Sequence, residues 1–150
     1  MKNLISHILK GLSACALLGI FGISAQQTDH KVLVSVPFNF SVSNQHLTAG
    51  TYTFTSNTLQ SPILIRSKQS GSAILVLAFS AQANKVQNEP KLVFDRYGDQ
   101  YFLRKIWYAG GTDGRELMIS RVEEQLARTM AKPADSVVLV AETKPHKSTR

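Results

Sequence analysis

The sequence predicts a mainly β fold, a small antiparallel β-sandwich or barrel of about eight strands with one short C-terminal helix. Two observations predict it. Every second residue from Val32 to Val42 is apolar, which is the alternation of a half-buried strand. Between Lys91 and Tyr108, two runs rich in aromatic and β-branched residues flank Gly98-Asp99, a dipeptide that can supply the positive φ of a two-residue hairpin turn.

The N-terminal segment predicts export. Lys2 and Lys10 provide positive charge, Gly11 to Ile23 is uncharged and mostly apolar, and a small residue, Ala25, follows. This is the order of a secretory signal peptide, so we expect residues 1–25 to be cleaved and the protein to be periplasmic or extracellular. The run is shorter than the roughly 20 apolar residues of a membrane span. A lipoprotein signal at Cys15 is less favoured, because most of the apolar core follows this cysteine.

Cleavage after Ala25 would leave a chain without cysteine, since Cys15 is the only one. Disulfides, thiolate metal sites and a cysteine nucleophile are then excluded from the mature protein. The formal charge of +7 would fall to +5 with the loss of Lys2 and Lys10 (15 basic and 10 acidic residues remain). Apart from the tail from Lys144 to Arg150, these charges are not clustered, which favours a role in solubility over contact with anionic polysaccharide or lipid headgroups.

The first half of the mature chain alternates strands and turns. Pro37 removes a backbone donor from the strand 32–42, so this strand should lie at an edge, or bend and pass between two sheets or round a barrel corner. Residues 44–50 are turn-forming, with Gly50 available for positive φ. Strands are predicted at 51–55, with aromatic residues inward, and at 63–66. The run 72–80 is apolar on both faces, so we expect it to be central or covered by a helix.

The hairpin should bring Tyr97 opposite Gln100, Phe94 opposite Leu103 and Leu92 opposite Lys105. One face would then hold the large apolar side chains of the core: Leu92, Phe94, Tyr101, Leu103 and Trp107. The other face would bring Asp95 and Arg104 together as diagonal neighbours, in an ion pair of little value if it is solvated.

After a glycine-rich turn at 109–114, residues 115–119 should pair back as a strand. Ser120 and Glu123 have the spacing of a capping box, so we expect a helix from about Arg121 to Met130 with an apolar stripe at Val122, Leu126 and Met130. Residues 136–141 read as a last strand. The expected organisation is a signal peptide at 1–25, a single β-domain at 26–142 and a disordered tail at 143–150.

The motifs VPFNF, LTAGTY, KLVFDRYGDQYFLRKIW and REL followed by SRVEEQLA resemble a family of short exported bacterial proteins. The resemblance covers residues 32–127 and implies export and a β-fold. It brings no catalytic residues, and the residues that carry it coincide with those predicted as core and turn.

No catalytic, cofactor-binding or metal-binding residues are predicted. His30, His46 and His146 have no metal-ligand spacing, and His30 and His146 lie near the expected ends of the mature chain. No nucleophile elbow or phosphate loop is present. Export argues against nucleic-acid binding by the basic and aromatic residues 102–108. The favoured function is therefore a non-catalytic exported domain with a structural or surface-binding role in the cell envelope, its partner an envelope protein or an anionic polysaccharide. The alternative is a carrier of a small apolar ligand in a lipocalin-like interior.

Overall fold

The computed structural model of the protein describes residues 30–58, 62–130 and 135–141. These residues form eleven strands and one helix, in the order β1 (His30–Val36), β2 (Phe40–Val42), β3 (Gln45–Leu47), β4 (Gly50–Ser56), β5 (Ile63–Ser67), β6 (Ala73–Val76), β7 (Ala78–Gln82), β8 (Lys91–Tyr97), β9 (Gln100–Trp107), β10 (Asp113–Leu117), α1 (Arg121–Thr129) and β11 (Asp135–Val140). The predicted signal peptide and tail lie outside the described residues.

The strands form two sheets that pack as a sandwich. Sheet A has the order β1-β4-β5-β6, and the main path of sheet B is β11-β8-β9-β10-β7, with β2 joined to β9 and β3. The prediction of a mainly β fold with one short helix is confirmed. Of the two architectures that the sequence left open, the fold is sandwich-like and not a closed barrel.

The long alternating segment changes sheets at its proline, as one of the predicted arrangements requires. β1 belongs to sheet A and β2 to sheet B, with Pro37 between them. Val32, Val34, Val36, Phe40 and Val42 are all buried. Because one alternating segment lines both layers, it joins the two halves of the core.

Aromatic rings fill the space between the sheets. The Phe40 ring meets Tyr52 and Phe94 edge to face, with centroids 5.2 and 5.5 Å apart. Phe38 stacks on Tyr101 with 3.9 Å between ring centroids. Edge-to-face and stacked pairs of this kind stabilise a core beyond the burial of their area.

The hairpin has the predicted turn but not the predicted register throughout. Gly98 has a φ of 60°, and Phe94 pairs with Leu103 as expected. A bulge between Val93 and Phe94 then shifts the register, so that Leu92 pairs with Ile106 and not with Lys105. A bulge adds one residue to one strand and reverses the inside-outside order beyond it.

The reversal moves Trp107 off the core face, where the sequence had placed it. Ile106 is fully buried, whereas Trp107 is half-buried and pairs with Lys91 on one side and Gly114 on the other. Placing Trp107 in the core was therefore wrong. Beyond residue 103, the inward and outward positions follow the register set by the bulge, so that Ile106 faces the core and Trp107 faces outward.

The apolar run 72–80 is neither central nor covered by the helix. It forms β6 at the edge of sheet A and, after Leu77, β7 at the edge of sheet B. One smaller expectation also fails, because positive φ occurs at Ser43, just before the predicted turn 44–50, and not at Gly50. His30 is the first residue of β1, and its ring packs against that of Tyr108 at a tilt of 31°.

Candidate functional site

The most unusual surface of the molecule lies where the chain passes from sheet A to sheet B. Leu77 alone separates β6 from β7. Around this crossing, five large apolar side chains are more than half exposed: Leu75 (68%), Leu77 (70%), Phe79 (65%), Met118 (56%) and Ile119 (55%). We call these five residues the corner patch. Single exposed apolar residues are ordinary, but a cluster of them marks an interaction surface.

A groove of about 500 Å³ runs through the corner patch. Leu75, Val76 and Leu77 line it from β6 and the crossing, and residues 118–121, which leave β10, line it from sheet B. Residues 43–45 contribute polar groups to the lining. The groove lies beside the edge strand β6 and is lined by five apolar and five polar residues, with Arg121 as the one that carries charge.

The buried Arg115 holds the crossing in place from inside. Arg115 lies on β10 and is fully buried. Its Nη2 donates to the carbonyl oxygen of Ala78 at 2.6 Å and its Nη1 to that of Thr58 at 3.1 Å. Ala78 is the first residue of β7, so this guanidinium fixes the backbone where the strand changes sheets. A fully buried arginine has no sequence signature, and the sequence did not predict it.

Tyr108 lies near Arg115 at the same end of the sandwich. The Tyr108 ring is buried and lies 4.5 Å from the ring of His30, centroid to centroid. Burial raises the pKa of Tyr108 to about 12, although the charge of Arg115 and a hydrogen bond with Ser56 act in the opposite direction. Burial also lowers the pKa of Arg115. Tyr108 is therefore neutral at physiological pH, and the cluster of Tyr108, His30 and Arg115 is suited to a structural role.

A second polar cluster attaches the helix to the hairpin. Arg104, the additional residue of the bulged strand, donates from Nε to Asp95 at 2.7 Å and from Nη2 to Glu123 at 2.5 Å. Its Nη1 donates to the carbonyl oxygen of Leu117 at 3.1 Å. The predicted Asp95–Arg104 pair is therefore confirmed, and it is part of a largely buried network, since the Glu123 side chain is only 4% exposed.

The capping box of α1 is also confirmed. The backbone N–H of Glu123 donates to Ser120 Oγ at 3.1 Å, and the backbone N–H of Ser120 donates to Glu123 Oε2 at 3.4 Å. Burial raises the pKa of Glu123, opposed by Arg104 and by the Ser120 hydrogen bond. Both carboxylate oxygens of Glu123 are thus engaged by the fold, which makes Glu123 an anchoring group for the helix.

This anchoring turns the predicted apolar stripe of α1 away from the core. Glu123 is the buried residue of the helix, whereas Val122 and Met130 are exposed and Leu126 is half-buried. The apolar stripe therefore does not pack into the core. Glu123 takes the inward position because its carboxylate pairs with the guanidinium of Arg104.

The histidines are dispersed. His46 is exposed, with its Nδ1 3.4 Å from Ser41 Oγ, His30 packs against the ring of Tyr108, and His146 lies outside the described residues. Over residues 30–58, 62–130 and 135–141, no group of three or more His, Cys, Asp or Glu side chains could hold a metal ion.

The one helix in the described parts of the chain, α1, has nine residues, and no described helix has the length and apolar character to cross a membrane.

The corner patch had a signal in the sequence. No charged residue occurs between Lys68 and Lys85, and a longer uncharged run, residues 32–65, precedes this one. Such a run at the surface is typical of an interface, but its apolar character alone equally suits a buried strand. No family model, curated protein or solved structure matches the chain.

Proposed function

We propose that this protein is a non-catalytic exported domain that acts in the cell envelope by binding a macromolecule through the corner patch. The observation that carries the proposal is the exposure of five large apolar side chains beside an edge strand. Natural β-proteins protect such edges with charges, prolines or bulges, unless the edge has a partner. Export itself is inferred from residues 1–25.

The polar clusters support this proposal over an enzymatic function. Arg104, Asp95 and Glu123 are committed to one another and to the helix. Arg115 is committed to the carbonyl oxygens of Ala78 and Thr58. Buried charges that are satisfied by the fold stabilise its geometry, whereas catalysis needs polar groups that converge on a space for substrate.

The alternative, a carrier of a small apolar ligand, has less support. The expected carrier site was the interior, but the rings of Phe40, Tyr52 and Phe94 are in contact there. A carrier would instead have to use the surface groove, which is lined by Leu75, Leu77 and Met118 among others. A groove open to solvent buries a small ligand less completely than a closed pocket does.

Cross-linking in cells that make the protein tests the proposal. A photoreactive amino acid at Leu77 should give covalent adducts with a macromolecule on illumination. The same group at Asp99 is the matched control, because the Asp99 side chain is fully exposed on the hairpin turn. The proposal fails if Leu77 gives no adducts, or gives the same adducts as Asp99. Fractionation of the same cells shows whether the protein reaches the envelope.

A further inference from the structure

We propose that the partner of the corner patch is a second copy of this chain, bound through antiparallel pairing of the two β6 strands. The inference rests on the proposed function and names its partner. Pairing of the two edges would join two four-stranded sheets into one sheet of eight strands across a two-fold axis. Such an interface is isologous, since the same residues contribute from both copies.

The free edge of β6 is the first observation. β6 is the last strand of sheet A and pairs with β5 alone among the described strands. Its other side therefore presents backbone donors and acceptors that a further strand can satisfy. The segment from Gln69 to Asn84 contains no charged residue and no proline, so β6 lacks the residues that usually prevent pairing between edges.

The distribution of charge is the second observation, and it favours a second copy. Two copies of the mature chain, which is expected to carry a formal charge of +5 (15 basic and 10 acidic residues), repel each other over most of their surfaces. A self-contact is therefore favoured where basic side chains are few. β6 itself carries no charged residue, and the basic residues beside it are Arg66, which pairs with Ala73 from β5, and Arg121 in the groove.

The geometry of the pair is the third observation. Leu75 points outward from sheet A, and its register partner on β5 is Leu64, which is half-buried. In an antiparallel pair, side chains that lie opposite each other have Cβ atoms about 5 Å apart. Pairing about a two-fold axis at Leu75 would thus bring the Leu75 side chains of the two copies together. Leu77 and Met118 would contribute from the flank.

The apolar area is sufficient for a weak dimer. At about 60–120 Å² of apolar surface for a fully exposed large aliphatic side chain, the corner patch offers roughly 300 Å². A standard interface buries about 800 Å² per partner, a little over half of it apolar. The corner patch therefore falls below the standard size, and we expect a dissociation constant in the micromolar range, below about 100 µM.

Sedimentation of the purified protein tests the inference. At a protein concentration of about 100 µM, which is above the expected dissociation constant, the mass should approach twice that of the monomer and fall on dilution. Leu75→Lys should give a monomer, because it places like charges opposite each other at the two-fold axis. Leu75 is 68% exposed, so the fold should tolerate this change, and circular dichroism checks that it does.

Val138→Lys is the matched control. Val138 lies on β11, an edge strand of sheet B, and is 51% exposed, so its replacement adds the same charge to an edge of the other sheet. The control should remain dimeric. A monomeric wild type at this concentration, a dimeric Leu75→Lys variant, or equal loss in both variants would each overturn the inference.

The two proposals fail separately. A monomeric protein whose Leu77 cross-links to another macromolecule would retain the surface-binding function and lose the dimer. Adducts at Leu77 with twice the mass of the chain would support both. A monomeric protein without adducts at Leu77 would overturn both.

Discussion

The six-membered ring of Trp107 covers the α-carbon of Gly114 on the neighbouring strand. The two residues are register partners in β9 and β10, and a β-carbon at position 114 would lie 2.2 Å from Cε3 of Trp107 and 2.8 Å from the carbonyl oxygen of Ile106. Glycine is therefore required here by close approach, and the ring shields a strand residue that has no side chain of its own.

Gly114→Ala should destabilise the protein, because the added methyl group must displace both the indole and a backbone oxygen. We expect a loss of about 1–3 kcal/mol in the free energy of unfolding, measured by chemical denaturation. Gly111→Ala is the control, since a β-carbon there meets its nearest atoms at 3.7 Å. Equal stability of the two variants would show that Trp107 does not lie over Gly114.

The bulge predicts unequal costs for two adjacent truncations. Ile106→Ala should cost about 2–5 kcal/mol, because Ile106 is fully buried and its loss leaves a cavity. Trp107→Ala should cost less, on the order of 1–2 kcal/mol, since the indole is only half-buried on the outer face. Denaturation curves of the two variants measure the difference. The opposite ranking would restore the register without a bulge and return Trp107 to the core.

Glu123 should make stability depend on pH. Burial raises its pKa above the ordinary value of 4.5, so the folded chain binds this proton more tightly than the unfolded chain. The contribution of Glu123 is then fully present below pH 4.5 and is lost as the pH rises through the raised pKa. Relative to Glu123→Gln, the wild type should therefore lose stability between pH 4.5 and neutrality.

Denaturant titrations of both proteins across this pH range measure the effect. Glu123→Ala is a useful companion variant, because it removes the hydrogen bonds to Arg104 and Ser120 as well as the charge. It should cost about 2–3 kcal/mol more than the glutamine variant. A pH-independent difference between the wild type and Glu123→Gln would mean that burial does not raise this pKa.

Tyr108 should produce a loss of stability in alkali. Its pKa is about 12 in the folded protein against an ordinary value of 10.0, so its contribution is fully present below the ordinary value and is lost as the pH rises to the folded value. The loss should reach on the order of 2–3 kcal/mol. Unfolding free energies of the wild type and Tyr108→Phe on both sides of this range isolate the contribution, and parallel pH profiles would contradict it.

Several features of the fold could be predicted because they depend on residues close together in the chain. The alternation from Val32 to Val42 identifies its buried face, and Pro37 indicates where the strand bends. Gly98 supplies the positive φ of the hairpin turn, and Ser120 with Glu123 forms the helix cap. In each case the structure is set by the conformational preference or hydrogen bonding of residues that are neighbours in the sequence.

Other features depend on residues that are distant in the chain, and only the tertiary structure decides them. Arg104 is inserted into one strand, and this reverses the exposure of Ile106 and Trp107. The same Arg104 holds Glu123 inward and thereby turns the apolar side of α1 to solvent. Arg115 fixes the crossing at Ala78, which leaves Leu75 and Leu77 exposed. The sequence by itself determined which side chains are apolar and where strands bend, whereas the contacts between strands decided which of those side chains are covered, because burial is set by whatever lies opposite each residue.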